Sequence, residues 1–310
     1  MWTLAKKLSA MGTLGINKRN AHYTLQYNPR HLYPLVDDKL RTKQLAERAG
    51  MAVPKLYGVI ETQRQIKDLD SVLEPYQDFV VKPARGSGGN GILVFTGKSK
   101  HQYRRVDDML VSQEELDYYC SNILSGIYSL GGHPDKAFIE YRVCSDPIFD
   151  GIKYQGLPDI RIIVFLGIPV MSMVRLPTRL SKGKANLHQG AIGVGIDMKT
   201  GHTLKGVWRN DILDEHPDTG NSVKGIAIPC WEDLLTLAAQ CYQLTGLGYQ
   251  GVDIVLDKHL GPLILEINAR PGLNIQIANH EGLLPRLKLI EQHYTEIATV
   301  SERVAYAREN

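Results

Sequence analysis

Cysteine is scarce in this 310-residue chain: Cys120, Cys144, Cys230 and Cys241 form no CxxC pair and no Cys/His cluster. That favours a reducing, cytoplasmic setting over a zinc framework or a disulfide-stapled fold. No run approaches the ~18 apolar residues of a membrane span. The opening MWTLAKKLSAMGTLGINKRN lacks the continuous apolar stretch of a secretory signal. Internal repeats and low-complexity tracts are missing, and 43% hydrophobic with 22% charged residues rules out wholesale disorder or a fibrous repeat. Acidic residues are missing altogether from residues 1–36, which carry Lys6, Lys7, Lys18, Arg19 and Arg30. The remainder holds 31 basic and 33 acidic residues, a net of −2. A protein that coats nucleic acid with bulk positive charge is thereby excluded, and any cationic function must be local.

What is present has the pattern of an α+β chain. DDKLRTKQLAERAG carries leucine and alanine at helical spacing and stops at Gly50, a C-cap residue. MAVPKLYGVI reads as a turn into a strand, and residues 64–74 as a second helix. FVVKP and ILVF are strands on either side of the loop ARGSGGNG. Ser112 and Glu115 form a capping box for a helix running to about Leu130 and closed by Gly131 and Gly132. The strands AFIEYRV, IRIIVFL and PVMSMVR follow, then the polar loop LSKGKANLHQGA, a helix over Trp231–Thr245, a hairpin and an amphipathic helical tail. Strands and helices alternate without a strict βαβ rhythm, which favours two sheet-containing lobes over a doubly wound sheet. The expected divisions are a basic leader at 1–36, lobes at 37–136 and 137–298, and a tail at 299–310. The leader is open to several readings: an arm, a surface helix, a lid or a loosely packed terminus.

The hairpin GVDIVLDKHLGPLILEIN carries the most chemistry. Antiparallel pairing around residues 258–261 sets Asp253 opposite Glu266, and Asn268 lies two residues further along the same face. Two carboxylates and an amide oxygen converging there suit a hard cation such as Mg²⁺, with Mn²⁺ an alternative. A register slip of one residue would send Asp253 to the other face, and an edge hairpin with solvated acids is the competing reading. Lys82 ends an apolar strand immediately before PARGSGGNG. Backbone amides of a loop containing Gly86, Gly88, Gly89 and Gly91 can approach anionic oxygens closely, with the lysine adding a point charge. The loop is no Walker A motif, because GxxxxGK[ST] is absent, and no dinucleotide fingerprint, because a strand follows it. Lys39 sits in a first helical turn, where a cation opposes the helix dipole, so helix stability does not explain it.

Taken in order, these segments resemble the ATP-grasp superfamily, and within it the RimK-like α-L-glutamate ligase branch, from about Asp37 to Arg286. The resemblance implies an ATP-grasp fold of two α+β lobes clamping ATP, without a full pre-ATP-grasp domain. It implies ATP contacts by Lys39 (DDKLRTKQLAERAGMAVP), Lys82, Gly86, Ser87, Gly88, Gly89 and Gly91 (FVVKPARGSGGNG). It implies an adenine hinge at Glu140, Tyr141 and Val143 (FIEYRV), and nucleotide contacts by Asp159 (PDIRIIVFLG), Lys184 and Asn186 (KANLHQGA). Arg175 (PVMSMVR) falls near the transferred phosphoryl, and Asp253, Glu266 and Asn268 become the metal ligands. Arg270 in NARPG departs from the small residue usual in RimK-like ligases, which bears on the non-nucleotide substrate.

The implied activity is an ATP-dependent carboxylate–amine ligase working through an acyl phosphate. It would add glutamate or a similar amino acid to a peptide or protein acceptor. Catalytic charge would come from Arg175, assisted by Arg270. Arg161, Arg179 and Lys182 are a candidate cationic group for an acidic substrate, and His188 is either a proton acceptor or a structural histidine. The alternatives are a sugar-transfer or cell-surface ATP-grasp ligase acting on another amine, and a non-catalytic ATP-binding module. The partners are then ATP, a carboxylate and an amine, with no nucleic acid, no membrane span and room for an oligomer.

Overall fold

A computed structural model describes residues 2–86, 88–99, 102–209 and 211–310. The chain divides into two compact units, one of residues 38–44 and 53–143, the other of residues 1–37, 45–52 and 144–310.

In the first unit, six antiparallel strands run in the order β1-β6-β2-β3-β4-β5. They are β1 (Leu56–Ile60), β2 (Phe79–Pro83), β3 (Leu93–Ser99), β4 (Gln102–Arg105), β5 (Leu110–Ser112) and β6 (Ala137–Glu140). Alternation along β2 decides which side chains meet. Phe79 and Val81 enter a core with Phe95, Tyr103, Leu116, Cys120 and Ile139. Lys82 therefore faces the opposite side, where Leu40, Ala84 and Phe138 pack together. The helix Gln113–Leu124 has the expected capping box, with Ser112 Oγ accepting from Glu115 N at 3.2 Å and Glu115 Oε2 accepting from Ser112 N at 2.7 Å. It stops six residues before Leu130, because Gly126 turns left-handed at φ +88. A Cβ there would lie 2.3 Å from the His133 carbonyl oxygen, so the chain folds back early. Residues 64–74 likewise form two short helices, Gln63–Ile66 and Leu69–Leu73, rather than one.

The second unit is built on seven antiparallel strands in the order β11-β10-β9-β8-β7-β12-β13. These are β7 (Asp159–Phe165), β8 (Ile168–Leu176), β9 (Ile192–Ile196), β10 (Thr203–Trp208), β11 (Asp211–Leu213), β12 (Tyr249–Asp257) and β13 (Gly261–Asn268). All nine residues of β8 and all nine of β12 are buried, as expected of central strands covered on both faces. The helix Trp231–Thr245 ends at Gly246 and packs on β7 and β8, with the helix Val300–Glu309 against it.

The basic leader is an integral part of this unit. Tyr23 packs edge-on to Phe165 at 5.4 Å between ring centroids, and Leu14 is buried. The buried Asn28 side chain donates to Tyr249 O at 2.6 Å and Ala269 O at 2.9 Å, and accepts from Tyr249 N at 2.8 Å. Those bonds complete the backbone of strand ends that lack a neighbour on that side. At the other division, β6 pairs with both β1 and β2, so Glu140 belongs to the first unit rather than to the lobe that begins at residue 137 in the sequence reading. Among the described residues, no helix is long and apolar enough to cross a membrane.

Candidate active site

The first unit assembles a cationic corner around one carboxylate. On β6, Glu140 pairs with Val80 while Phe138 pairs with Lys82, so Glu140 and Lys82 share a face. The Lys82 ammonium meets Glu140 Oε1, and Lys43 Nζ lies 2.8 Å from Glu140 Oε2. Burial would raise the Glu140 pKa, but the adjacent Lys82 and Lys43 charges overcome it and hold the carboxyl below its ordinary value. Lys43 was not singled out by sequence. It stands four residues after Lys39, hence on the same helix face, which is the one signal that pointed to it. Asp38 caps this helix by accepting from Arg41 N at 3.0 Å, and Lys39 N donates to Ala84 O at 2.8 Å. Lys39, Lys82, Gly86 and Gly89 line one small cavity. Gly88, Gly89 and Gly91 all have positive φ. A Cβ on Gly91 would come within 2.6 Å of the Tyr128 ring, so the loop depends on glycine there. Ser87 lies outside the described residues. At the hinge, Tyr141 N donates to Lys55 O at 2.9 Å, and Val143 is the last residue of the unit.

The second unit presents a row of charges across four neighbouring strands. Cross-strand pairing sets Arg175 opposite Asp159, Arg161 opposite Asp253, and Asp253 opposite Glu266. The hairpin register expected from sequence is the observed one at the site, with Asn268 opposite Gly251. It shifts by one residue between Asp253 and Ile254, where a bulge accommodates Leu265 before the strands close at Asp257 and Gly261.

Asp253 is the centre of the row. Its Oδ1 accepts from Arg161 Nε at 2.7 Å, and its Oδ2 accepts from Arg161 Nη2 at 2.6 Å, Arg175 Nη2 at 2.9 Å and Asn268 Nδ2 at 3.3 Å. Arg175 also makes a two-pronged bond to Asp159 through Nε and Nη2. Its Nη1 has no hydrogen-bond partner among the described residues. Burial would raise the Asp253 pKa, yet Arg161 and Arg175 pull it down to about 2. Asp159 moves the other way, to about 6, because burial and the Asp253 charge outweigh Arg175. The two carboxyls are thus driven apart, one firmly ionised and one a weak acid.

Other expected residues stand elsewhere. Asn186 caps a short turn, its Oδ1 accepting from His188 N at 3.0 Å, and Lys184 N donates to Ser181 O at 3.1 Å. Of Arg161, Arg179 and Lys182, Arg161 bonds to Asp253, and Arg179 lies over the Tyr154 ring at 5.3 Å. Arg270 is exposed and lies over the Tyr33 ring at 5.0 Å.

Asp253, Glu266 and Asn268 offer hard oxygens, which fit Mg²⁺ in donor chemistry. Both oxygens of Asp253 already accept from guanidinium groups. Among the described residues, no group of three or more His, Cys, Asp and Glu side chains is placed to hold a metal.

Two antiparallel sheets, one with a lysine and glycine-rich loop and the other with a carboxylate hairpin, are the make-up of an ATP-grasp protein. Residues 18–292 match the family described as sugar-transfer associated ATP-grasp, and the chain belongs to that family. It is similar to the solved structure of the ATP-grasp ligase PsnB complexed with a minimal precursor, at 12% identity over 90% of this chain and 62% of that one, TM-score 0.44. It is also similar to the D-cycloserine synthetase DcsG, at 14% identity over 86% and 73% of the two chains, TM-score 0.48. Biotin carboxylase from Campylobacter jejuni matches at 16% identity over 89% of this chain and 47% of that one, TM-score 0.49. The chain therefore spans about 62% of the length of PsnB. No curated protein sequence matches it.

Proposed function

We propose that the protein is an ATP-dependent, ADP-forming carboxylate–amine ligase. The observation that carries this reading is the row Arg175, Asp159, Arg161, Asp253 and Glu266 laid across adjoining strands, in a chain of an ATP-grasp family. Lys39, Lys82 and the amides of Gly86, Gly88, Gly89 and Gly91, with Ser87 among them, bind the phosphates. Glu140 holds Lys82 in place and, with Tyr141 and Val143, takes the adenine. Lys184 and Asn186 add contacts to the nucleotide.

Asp253, Glu266 and Asn268 would hold Mg²⁺, which would supply charge neutralisation for the phosphates. A substrate carboxylate oxygen attacks the γ-phosphorus, and the β–γ bridging bond breaks to release ADP. The amine nitrogen then attacks the acyl carbon, phosphate leaves and the nitrogen loses its proton. Arg175, oriented by Asp159 and Asp253, turns its remaining Nη1 donor to the transferred phosphoryl, where preorganised charge is most effective.

Addition of glutamate to a peptide or protein acceptor rests on the DIR and NLH segments that resemble RimK-like ligases. The family match favours the second reading, in which the amine belongs to a sugar-transfer or cell-surface acceptor. ADP release measured over a matrix of carboxylates and amines, including amino sugars, separates the two readings. Lys82→Ala and Glu266→Gln should each lower that release by at least about 100-fold, the scale of losing one charge-stabilising group. Turnover equal to the parent in either variant overturns the assignment.

A further inference from the structure

The loop of residues 178–190 carries Lys184 and Asn186, and Thr178 Oγ1 closes its base by donating to Gly190 O at 2.8 Å. Above that base, two side chains from one turn hold the loop. The turn 214–223 follows β11 and is pinned by Val223 N donating to Asp214 O at 2.9 Å and His216 N donating to Asn221 O at 2.8 Å. Its His216 side chain reaches Pro177 O from Nε2 at 3.1 Å, and its Asp218 Oδ2 accepts from Arg179 N at 2.7 Å. A third segment, residues 151–156, completes the junction. Tyr154 N donates to Pro177 O at 3.0 Å, and Asn221 Nδ2 donates to Gly151 O at 2.7 Å. It meets the loop backbone to backbone, since a Cβ on Gly156 would stand 1.8 Å from Gly183 O.

His216 sits where these segments meet and is 0% exposed. Its bonds fix the tautomer. Asp218 N donates to Nδ1 at 3.2 Å, so Nδ1 carries no proton and Nε2–H is the donor to Pro177 O. Only the neutral ring makes both bonds. A proton on Nδ1 would point at Asp218 N–H, breaking the bond beside the one that holds Arg179. Burial lowers the His216 pKa, against the Pro177 carbonyl and the Asp218 charge, which raise it. The other charged groups on the three segments are Arg179, Lys182 and Lys184 of the loop, Lys153, which pairs with Asp150, and Glu215 and Asp214, the latter paired with Lys205.

We propose that His216 and Asp218 are positioning residues for the nucleotide: the turn 214–223 latches the loop 178–190, with Lys184 and Asn186 on it, and protonation of His216 releases the latch. This rests on the ligase reading for what Lys184 and Asn186 contact. The open form takes up a proton at the ordinary histidine value, whereas the closed form resists it. Opening is therefore insensitive to pH above that value. Below it, each pH unit favours opening by up to about tenfold until the lowered value of the closed form is reached.

Amide hydrogen exchange of the full chain without nucleotide tests the latch. The N–H groups of Arg179, Lys182, Gly183 and Lys184 donate to Asp218 Oδ2, Arg179 O, Thr178 O and Ser181 O. Between pH 7 and 5 they should lose at least about tenfold in protection, beyond any change in β8 and β12. His216→Gln has no proton to gain and should remove that loss. No loss in the parent, or an equal loss in His216→Gln, overturns the latch. Should His216→Gln not fold, the imidazole nitrogen signals of the parent decide. Nδ1 must be unprotonated at pH 7, and a proton there overturns the latch. Calorimetric titration with Mg²⁺ and a non-hydrolysable ATP analogue tests the positioning. Asp218→Ala should weaken binding by about tenfold, the scale of one lost hydrogen bond. Asp218→Asn, whose Oδ1 still accepts from Arg179 N, should restore most of it. Equal binding by Asp218→Ala and the parent, or no recovery in Asp218→Asn, overturns the positioning role. If the parent fails to bind the analogue, the ligase reading falls, while the exchange experiment still decides the latch.

Discussion

Lys43 and Lys82 reach the same buried carboxylate from a helix and a strand, and the consequence for each residue follows from what would remain after its removal. Glu140 is only 2% exposed, so deleting either ammonium leaves a charge that water cannot reach. Lys43→Met should therefore cost roughly 3 kcal/mol of unfolding free energy, read as a lowered urea midpoint. An unchanged midpoint would show that Lys82 alone satisfies Glu140. The aspartates make opposite predictions with pH. Asp253, held at about 2, contributes stability that is present above the ordinary carboxyl value and lost as pH falls toward 2. Asp159, raised to about 6, contributes stability that is present below the ordinary value and lost as pH rises through 6. Between pH 7 and 5 the urea midpoint of Asp159→Asn should respond less to pH than the parent's. Identical profiles would place the proton elsewhere.

At the scale of elements, the hairpin and the leader behave differently. The β12–β13 pairing was legible because it is local: the strands close at Asp257 and Gly261, with only three residues between them, and alternation fixes which side chains share a face. The bulge at Leu265 was not, because an extra residue in one strand leaves the apolar pattern intact while shifting only the far half of the hairpin. Arg161 as the partner of Asp253 was also hidden. That pair joins β7 to β12 across 92 residues, and nothing in either segment specifies the neighbour. The leader is open to several readings in sequence because its attachments include polar ones: Asn28, Arg19, and Gln276 bonding Leu14 at both N and O. Asn28→Ala should remove three buried bonds at once and cost about 3 kcal/mol in chemical denaturation. A loss below about 0.5 kcal/mol would mean that aromatic packing by Tyr23 holds the leader unaided.

The whole molecule should report occupancy through its melting. A ligand that binds only the native chain at 100 times its dissociation constant stabilises by about 2.7 kcal/mol. Thermal unfolding with Mg²⁺ and an ATP analogue should therefore rise for the parent and much less for Lys82→Ala; equal shifts would remove Lys82 from the nucleotide site. One feature of the architecture also has a temporal meaning. Asn28 must wait for Tyr249, which lies 221 residues further along the chain, and Leu14 for Gln276, at 262. At a ribosomal pace of about 5–20 residues per second, the leader spends roughly 10–50 s outside the ribosome before its partners are made. For that interval Asn28 and Leu14 have no native partner for these bonds. The segment whose partners are made last is thus also the one that must be kept soluble longest during synthesis.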